Sequence, residues 1–243
     1  MLPCVFAAAS YLRTTREIMR LTQLIIQGCF PDKSPYLLVP KMPSSIVETC
    51  EAMKIASLPD LIATPLKRKE SILRKAGVKN NRDLRTITST LSKMPNVDVK
   101  YKLPEGGTEE SPAPADGYIP LMVRLQRSQR LRGKAAIQRT GKAKSEGWWL
   151  VVGREDIDEL LALKRVMIRD TTTCTVEFQV PQEPGNYTLQ IYLISDTFCG
   201  VDRKREFQLV VGEAEEEEEE DEDDDAEGEE GGEAGSGDDN DHA

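Results

Sequence analysis

Pro95-Asn-Val-Asp-Val-Lys-Tyr101 is the stretch on which the reading of this chain turns. On its carboxyl side Val97, Val99 and Tyr101 alternate with Asp98 and Lys100, the period of a strand with one face buried. On its amino side apolar residues recur every third or fourth position, the period of a helix. The 243 residues therefore divide into a helical front and a β-rich back. An α+β, multidomain chain is the architecture this predicts.

Behind the switch, short apolar runs follow at 121–125, 148–152, 161–168, 174–180, 187–193 and 207–211, separated by turn residues such as Pro184-Gly185-Asn186. Seven short strands in this pattern predict an antiparallel β-sandwich of fibronectin type III or immunoglobulin-like kind. Trp148 and Trp149 are expected to supply its buried aromatic anchor. Residues 105–116 are rich in Gly, Pro and Glu and read as a loop. Residues 128–146 carry Arg130, Arg132, Lys134, Arg139, Lys142 and Lys144, either a long excursion or two edge strands.

In front of the switch, Ile18, Leu21, Leu24, Ile25 and Cys29 place an amphipathic helix within 6–30, closed by Pro31. Ser44 or Ser45, with Glu48, predicts a capping box for a helix whose apolar stripe is Ile46, Val47, Cys50 and Met53. Residues 58–63 read as a helical turn or two. Pro65 opens a further helix that Gly77 stops, and Asn80 or Asn81 caps a last one with Leu84, Ile87, Leu91 and Met94 inward. The expected divisions are 1–39 (a helical segment, part of a bundle), 40–95 (a helix-loop-helix unit), 96–212 (the sandwich) and 213–243 (a tail).

Charge is distributed unevenly. Residues 213–243 hold 19 acidic side chains and no Lys or Arg, leaving 32 basic against 23 acidic residues in the body. The pI of 4.9 therefore reflects the tail, while the body is cationic. Self-repulsion and the lack of apolar residues predict a disordered acidic tail. A cationic body predicts an anionic partner: nucleic acid, an acidic protein or the tail itself. Lys67, Arg68, Lys69, Arg74, Lys75, Arg82 and Arg85 concentrate that charge on the short helices. They are the candidate phosphate-binding residues, reading backbone rather than bases, because no aromatic residues interleave with them.

Catalytic chemistry finds no purchase. The lone histidine is His242 in the tail, so the body lacks a histidine base, and no phosphate-cradling Gly-rich loop ends in Lys-Ser or Lys-Thr. Cys4, Cys29, Cys50, Cys174 and Cys199 have no metal-site spacing and read as reduced thiols. A non-catalytic chain is expected, with no cofactor, no metal and no small-molecule substrate. No run approaches the ~20 apolar residues of a membrane span, and the first residues lack the basic start of a signal peptide, so no membrane insertion is expected.

Four segments of the β half together resemble one family. They are Gly147-Trp-Trp-Leu-Val-Val-Gly153, Leu160-Leu-Ala-Leu-Lys-Arg-Val166, Pro184-Gly-Asn-Tyr-Thr-Leu189 and Ile194-Ser-Asp-Thr-Phe-Cys-Gly-Val-Asp202. With Leu24-Ile-Ile-Gln-Gly28 and Lys33-Ser-Pro35 upstream, they are similar in order and spacing to the Sec-sixty-three domain over residues 16–211. Cys199 and Arg203 depart from the family pattern. The resemblance implies a helical bundle, a helix-loop-helix unit and a fibronectin-like sandwich. It also implies a regulatory module of a Ski-two-like RNA helicase of spliceosomal type, acting in the nucleus, with helicase motor domains, other complex subunits and RNA as partners. Two forms fit the resemblance: a fragment of an ATP-dependent RNA helicase, or a degenerate stand-alone copy of the domain. The same domain occurs in the translocation subunit of the endoplasmic reticulum, so the alternative is a module on the cytosolic face of that membrane, with translocon subunits as partners.

Overall fold

The computed structural model describes residues 11–104, 106–128 and 145–213. The helix start before residue 11, most of the basic excursion and the acidic tail lie outside them. The architecture is α+β. Five α-helices come first among the described residues: α1 (Leu12–Gln27), α2 (Ile46–Ala52), α3 (Leu58–Ala63), α4 (Leu66–Lys75) and α5 (Asn81–Lys93), with a 3-10 turn at Pro35–Leu38. Seven strands follow: β1 (Val97–Lys102), β2 (Tyr118–Arg127), β3 (Trp148–Arg154), β4 (Glu159–Val166), β5 (Thr171–Gln179), β6 (Gly185–Ser195) and β7 (Arg203–Val211).

The strands form two antiparallel sheets, ordered β1-β2-β5 and β4-β3-β6-β7. Alternation explains their facing side chains. Val97 and Val99 of β1 and Leu121, Val123 and Leu125 of β2 are buried, while Asp98, Lys100 and Arg124 are exposed. Pro120 is accommodated inside β2 because β1 ends opposite Met122, so only β5 flanks the proline. β6 differs from this pattern: every residue from Leu189 to Ser195 is buried, because one face meets the opposite sheet and the other is covered by α1.

One apolar core runs through helices and sheets alike. Ile46, Leu61, Ile72, Leu73, Ile87 and Leu91 pack in the same cluster as Val97, Leu121, Trp148, Leu193 and Leu209. Only Trp148 is the expected aromatic anchor. It is fully buried and its Nε1 donates to Glu146 Oε1 at 2.8 Å. Trp149, one residue along the strand, points to the other face, where the Arg165 guanidinium lies 4.5 Å from its ring centre. Glu146 also forms a buried ion pair with Arg127, so both shoulders of the basic excursion are fastened together inside the protein.

Caps follow local chemistry. Ser57 opens α3, its hydroxyl oxygen accepting from the Asp60 N–H at 3.4 Å, and Asn80 opens α5, accepting from the Arg82 N–H at 2.8 Å. The expected box at α2 does not form. Ser45 sits in helical conformation and its hydroxyl donates instead to Ala76 O at 2.6 Å, tying α2 to the end of α4. A tertiary acceptor outcompetes the local one there.

Candidate anion-binding helices and the helix–sheet junction

The seven basic residues on α4 and α5 do not share one role. Lys69 is buried and its ammonium donates to Ile62 O at 3.0 Å, with burial lowering its pKa. Arg74 donates to Val78 O at 3.1 Å and Lys79 O at 2.6 Å and also reaches the Asn81 side chain. These two cations brace the turn at each end of α4. Lys67, Arg68, Lys75, Arg82 and Arg85 are exposed, on two helices whose apolar faces (Ile72 and Leu73, Leu84 and Ile87) are buried together. Sequence spacing cannot separate the two sorts, because Lys69 and Arg74 have the same charge as their neighbours and differ only in nearby carbonyls.

A second polar assembly holds α1 on the larger sheet. Of the expected stripe, Leu21 and Ile25 face outward, 55% and 67% exposed, and Ile18, Leu24 and Cys29 are half-buried, while Leu12, Thr15, Met19, Gln23 and Gln27 are buried. Leu12 and Met19 pack with Val151, Leu160, Tyr192 and Ile194 in a separate apolar cluster. Gly153 permits this approach: a Cβ there would lie 2.5 Å from Glu159 O and 2.9 Å from the Leu12 side chain. Further along, Gln23 Nε2 donates to Ser195 O at 2.7 Å and to the Asp202 carboxylate at 3.0 Å, and Gln27 Nε2 donates to Thr197 O at 2.6 Å. The helix is thus turned by acceptors on the sheet that require donors.

The segment between β6 and β7 is built to present those acceptors. Ser195 Oγ accepts from the backbone of Thr197 at 3.2 Å and Phe198 at 3.1 Å. Asp202 Oδ1 accepts from Ser195 N at 2.8 Å, and Asp196 Oδ1 accepts from Gly147 N at 2.9 Å. Asp196 also pairs with Arg165. The conspicuous Ser, Asp, Gly and Asp residues of this segment, and the glycines around the Trp pair, therefore have structural tasks.

At the other end of α1, Arg16 lies 3.0 Å from Glu155 and stacks 4.0 Å from the Tyr192 ring centre. Lys204 Nζ is 2.7 Å from Glu155, and the Tyr192 hydroxyl donates to the same carboxylate. The hydrogen bonds from Lys204 and Tyr192 pull the Glu155 carboxyl down to about 2. Gln23, Gln27 and this Arg16–Glu155 cluster were not singled out by the sequence. Their only sequence signal is glutamine at a four-residue interval on one side of a helix.

Among the described residues no group of three or more His, Cys, Asp or Glu could hold a metal ion, and no helix is long and apolar enough to cross a membrane.

Comparison with known proteins places these features. An Arabidopsis thaliana protein, the DExH-box ATP-dependent RNA helicase DExH12, is 27% identical over 213 residues, 85% of this chain but 9% of that protein. The Caenorhabditis elegans U5 small nuclear ribonucleoprotein 200 kDa helicase is 25% identical over 214 residues, 86% of this chain and 10% of that protein. Pre-mRNA-splicing factor brr2 of Schizosaccharomyces pombe is 24% identical over 195 residues, covering 80% and 9% respectively. The chain thus spans about a tenth of the length of these relatives. The Sec63 Brl domain matches residues 2–208, which is nearly all of the body and includes α1, the basic helices and both sheets up to the middle of β7. The chain belongs to the Sec63 Brl domain family.

Proposed function

We propose that this chain is a non-catalytic regulatory module of a spliceosomal-type RNA helicase, working in the nucleus by docking on helicase motor domains or neighbouring subunits and holding RNA by its phosphates. The observation that carries this reading is the family match together with relatives that are RNA helicases of the U5 particle and of the DExH-box class. The outward stripe of Leu21, Ile25 and Phe30 on and after α1 supports docking, since apolar residues gathered on one exposed face mark an interaction surface. Lys67, Arg68, Lys75, Arg82 and Arg85 are the residues assigned to RNA phosphate, with Lys69 and Arg74 holding the helix that presents them.

The two sheets are read as a fibronectin type III-like sandwich. In the constant immunoglobulin domain the fourth strand pairs with the fifth. Here β4 pairs with β3, which favours the fibronectin side of the expectation. In this reading the chain divides at 39/40, 95/96 and 212/213.

The test of docking uses the full chain and helicase motor domains lacking their own copy of this module. Saturable binding at micromolar concentration or below, with an altered rate of RNA-stimulated ATP hydrolysis, is the expected outcome. No binding and no change in turnover at tens of micromolar, against a control module that does bind, overturns the docking half of the proposal.

A further inference from the structure

Cys29 and Cys199 stand 170 positions apart in the chain, and their sulfurs stand 3.8 Å apart in the fold. Cys29 follows the left-handed Gly28 that ends α1, with its N–H bonded to Leu24 O at 3.0 Å. Cys199 lies on the turn between β6 and β7. Gly200, at φ +76°, presses that turn on the 3-10 segment, since a Cβ there would lie 2.3 Å from Pro35 Cβ. One thiol is therefore held by a packed turn, while the other leads into the exposed segment at Phe30.

Access is the second requirement for chemistry. Both sulfur-bearing residues line one open cleft, together with Arg16, Arg20, Gln23 and Asp202. Cys29 is half-buried and Cys199 buried, so a small solute meets Cys29 first. The other described cysteines have different surroundings: Cys50 is buried beside Tyr36, and the Cys174 thiol points to Val123 O at 3.8 Å. Neither is placed opposite another thiol among the described residues.

We propose that Cys29 and Cys199 form an oxidisable dithiol site, which a hydroperoxide closes into a disulfide fastening the end of α1 to the β6–β7 turn. The Cys29 thiolate attacks a peroxide oxygen, the O–O bond breaks, and sulfenic acid forms with release of hydroxide. The Cys199 sulfur then attacks the Cys29 sulfur. The S–O bond breaks, and the departing oxygen leaves as water with the Cys199 proton. Two thiols and one hydrogen peroxide give one disulfide and two waters, with two electrons passing from sulfur to oxygen. Burial, reinforced by the adjacent Cys29, pushes the Cys199 thiol up, so the first attack on peroxide falls to Cys29. A disulfide sets its sulfurs at roughly 2.0 Å, so they must approach by a little under 2 Å, a movement available to the exposed segment that carries Cys29.

The test treats the full chain with hydrogen peroxide, blocks remaining thiols, and maps peptides by mass spectrometry without reduction. A Cys29–Cys199 cross-linked peptide should be the dominant disulfide. It should vanish with dithiothreitol and in Cys29→Ser, persist in Cys50→Ser, and accompany a rise of several degrees in Tm. Closing so long a loop should also speed migration on an unreduced gel. Peroxide that leaves Cys29 as sulfenic or sulfinic acid, or that pairs it with Cys4, Cys50, Cys174 or a second chain, overturns the proposal. The peptide map of the unmutated chain decides the matter even where Cys199→Ser does not fold.

Discussion

Helix α5 turns Leu84, Ile87 and Leu91 into the core and leaves Arg82 and Arg85 outside, whereas α1 turns Gln23 and Gln27 inward beside Leu12 and Met19 and leaves Leu21 and Ile25 exposed. Both helices are amphipathic, and the same periodicity finds both. What differs is the surface each one meets. α5 meets apolar side chains of the other helices and of β1, so its apolar face is drawn in. α1 crosses the end of β6 and the turn beyond it, where Ser195 O, Thr197 O and Asp202 need donors. A buried acceptor without a partner costs about 1–3 kcal/mol, enough to decide which side of a two-faced helix goes down.

The sharpest way to break this comparison is to cut equivalent side chains from the two helices. Ile87→Ala removes a fully buried residue and should lower stability by about 2–5 kcal/mol. Ile25→Ala removes a residue 67% exposed, and the isolated chain should change by no more than about 0.5 kcal/mol. Urea unfolding of the two variants measures both. Equal losses would mean that α1 buries the stripe its sequence suggests.

A smaller effect sharpens the same point. Gln23→Leu adds apolar character to the buried face of α1, and a helix docked by hydrophobic contact would gain or stay level. Here the change removes the donor to Ser195 O and Asp202, so a loss of about 1–3 kcal/mol is expected in thermal or urea unfolding. A stabilised Gln23→Leu would show that these hydrogen bonds do not set the orientation.

These cases also mark how far the sequence could be read. The strands were legible because alternation and turn residues are local signals. Val97, Val99, Leu121 and Leu125 could only be paired inward, and β3 and β6 are apolar enough to be buried on both sides. The α+β class followed from the change of period at residues 95–101, and the family from the Trp-Trp block and the Ser-Asp segment. The sense of α1 and the role of Ser45 were not legible, because each is set by a distant partner, the β6–β7 turn and Ala76 O; which of Trp148 and Trp149 points inward depends on which face of β3 meets the opposite sheet. The candidate site shows the same division. A concentration of cations on α4 and α5 is visible as composition, but the burial of Lys69 and the bracing role of Arg74 depend on the carbonyls of Ile62, Val78 and Lys79.

The assignment of RNA phosphate to the exposed cations is tested most directly by the salt dependence of binding to a single-stranded RNA, followed by fluorescence anisotropy. Lys67, Arg68, Lys75, Arg82 and Arg85 together should give a slope of log affinity against log salt of about −3.5. The triple change Lys67→Glu, Arg68→Glu and Lys75→Glu on α4 should weaken binding at low salt by at least about tenfold and flatten the slope by about 2. A triple variant that folds like the parent and binds RNA with the same affinity and the same slope would contradict the account.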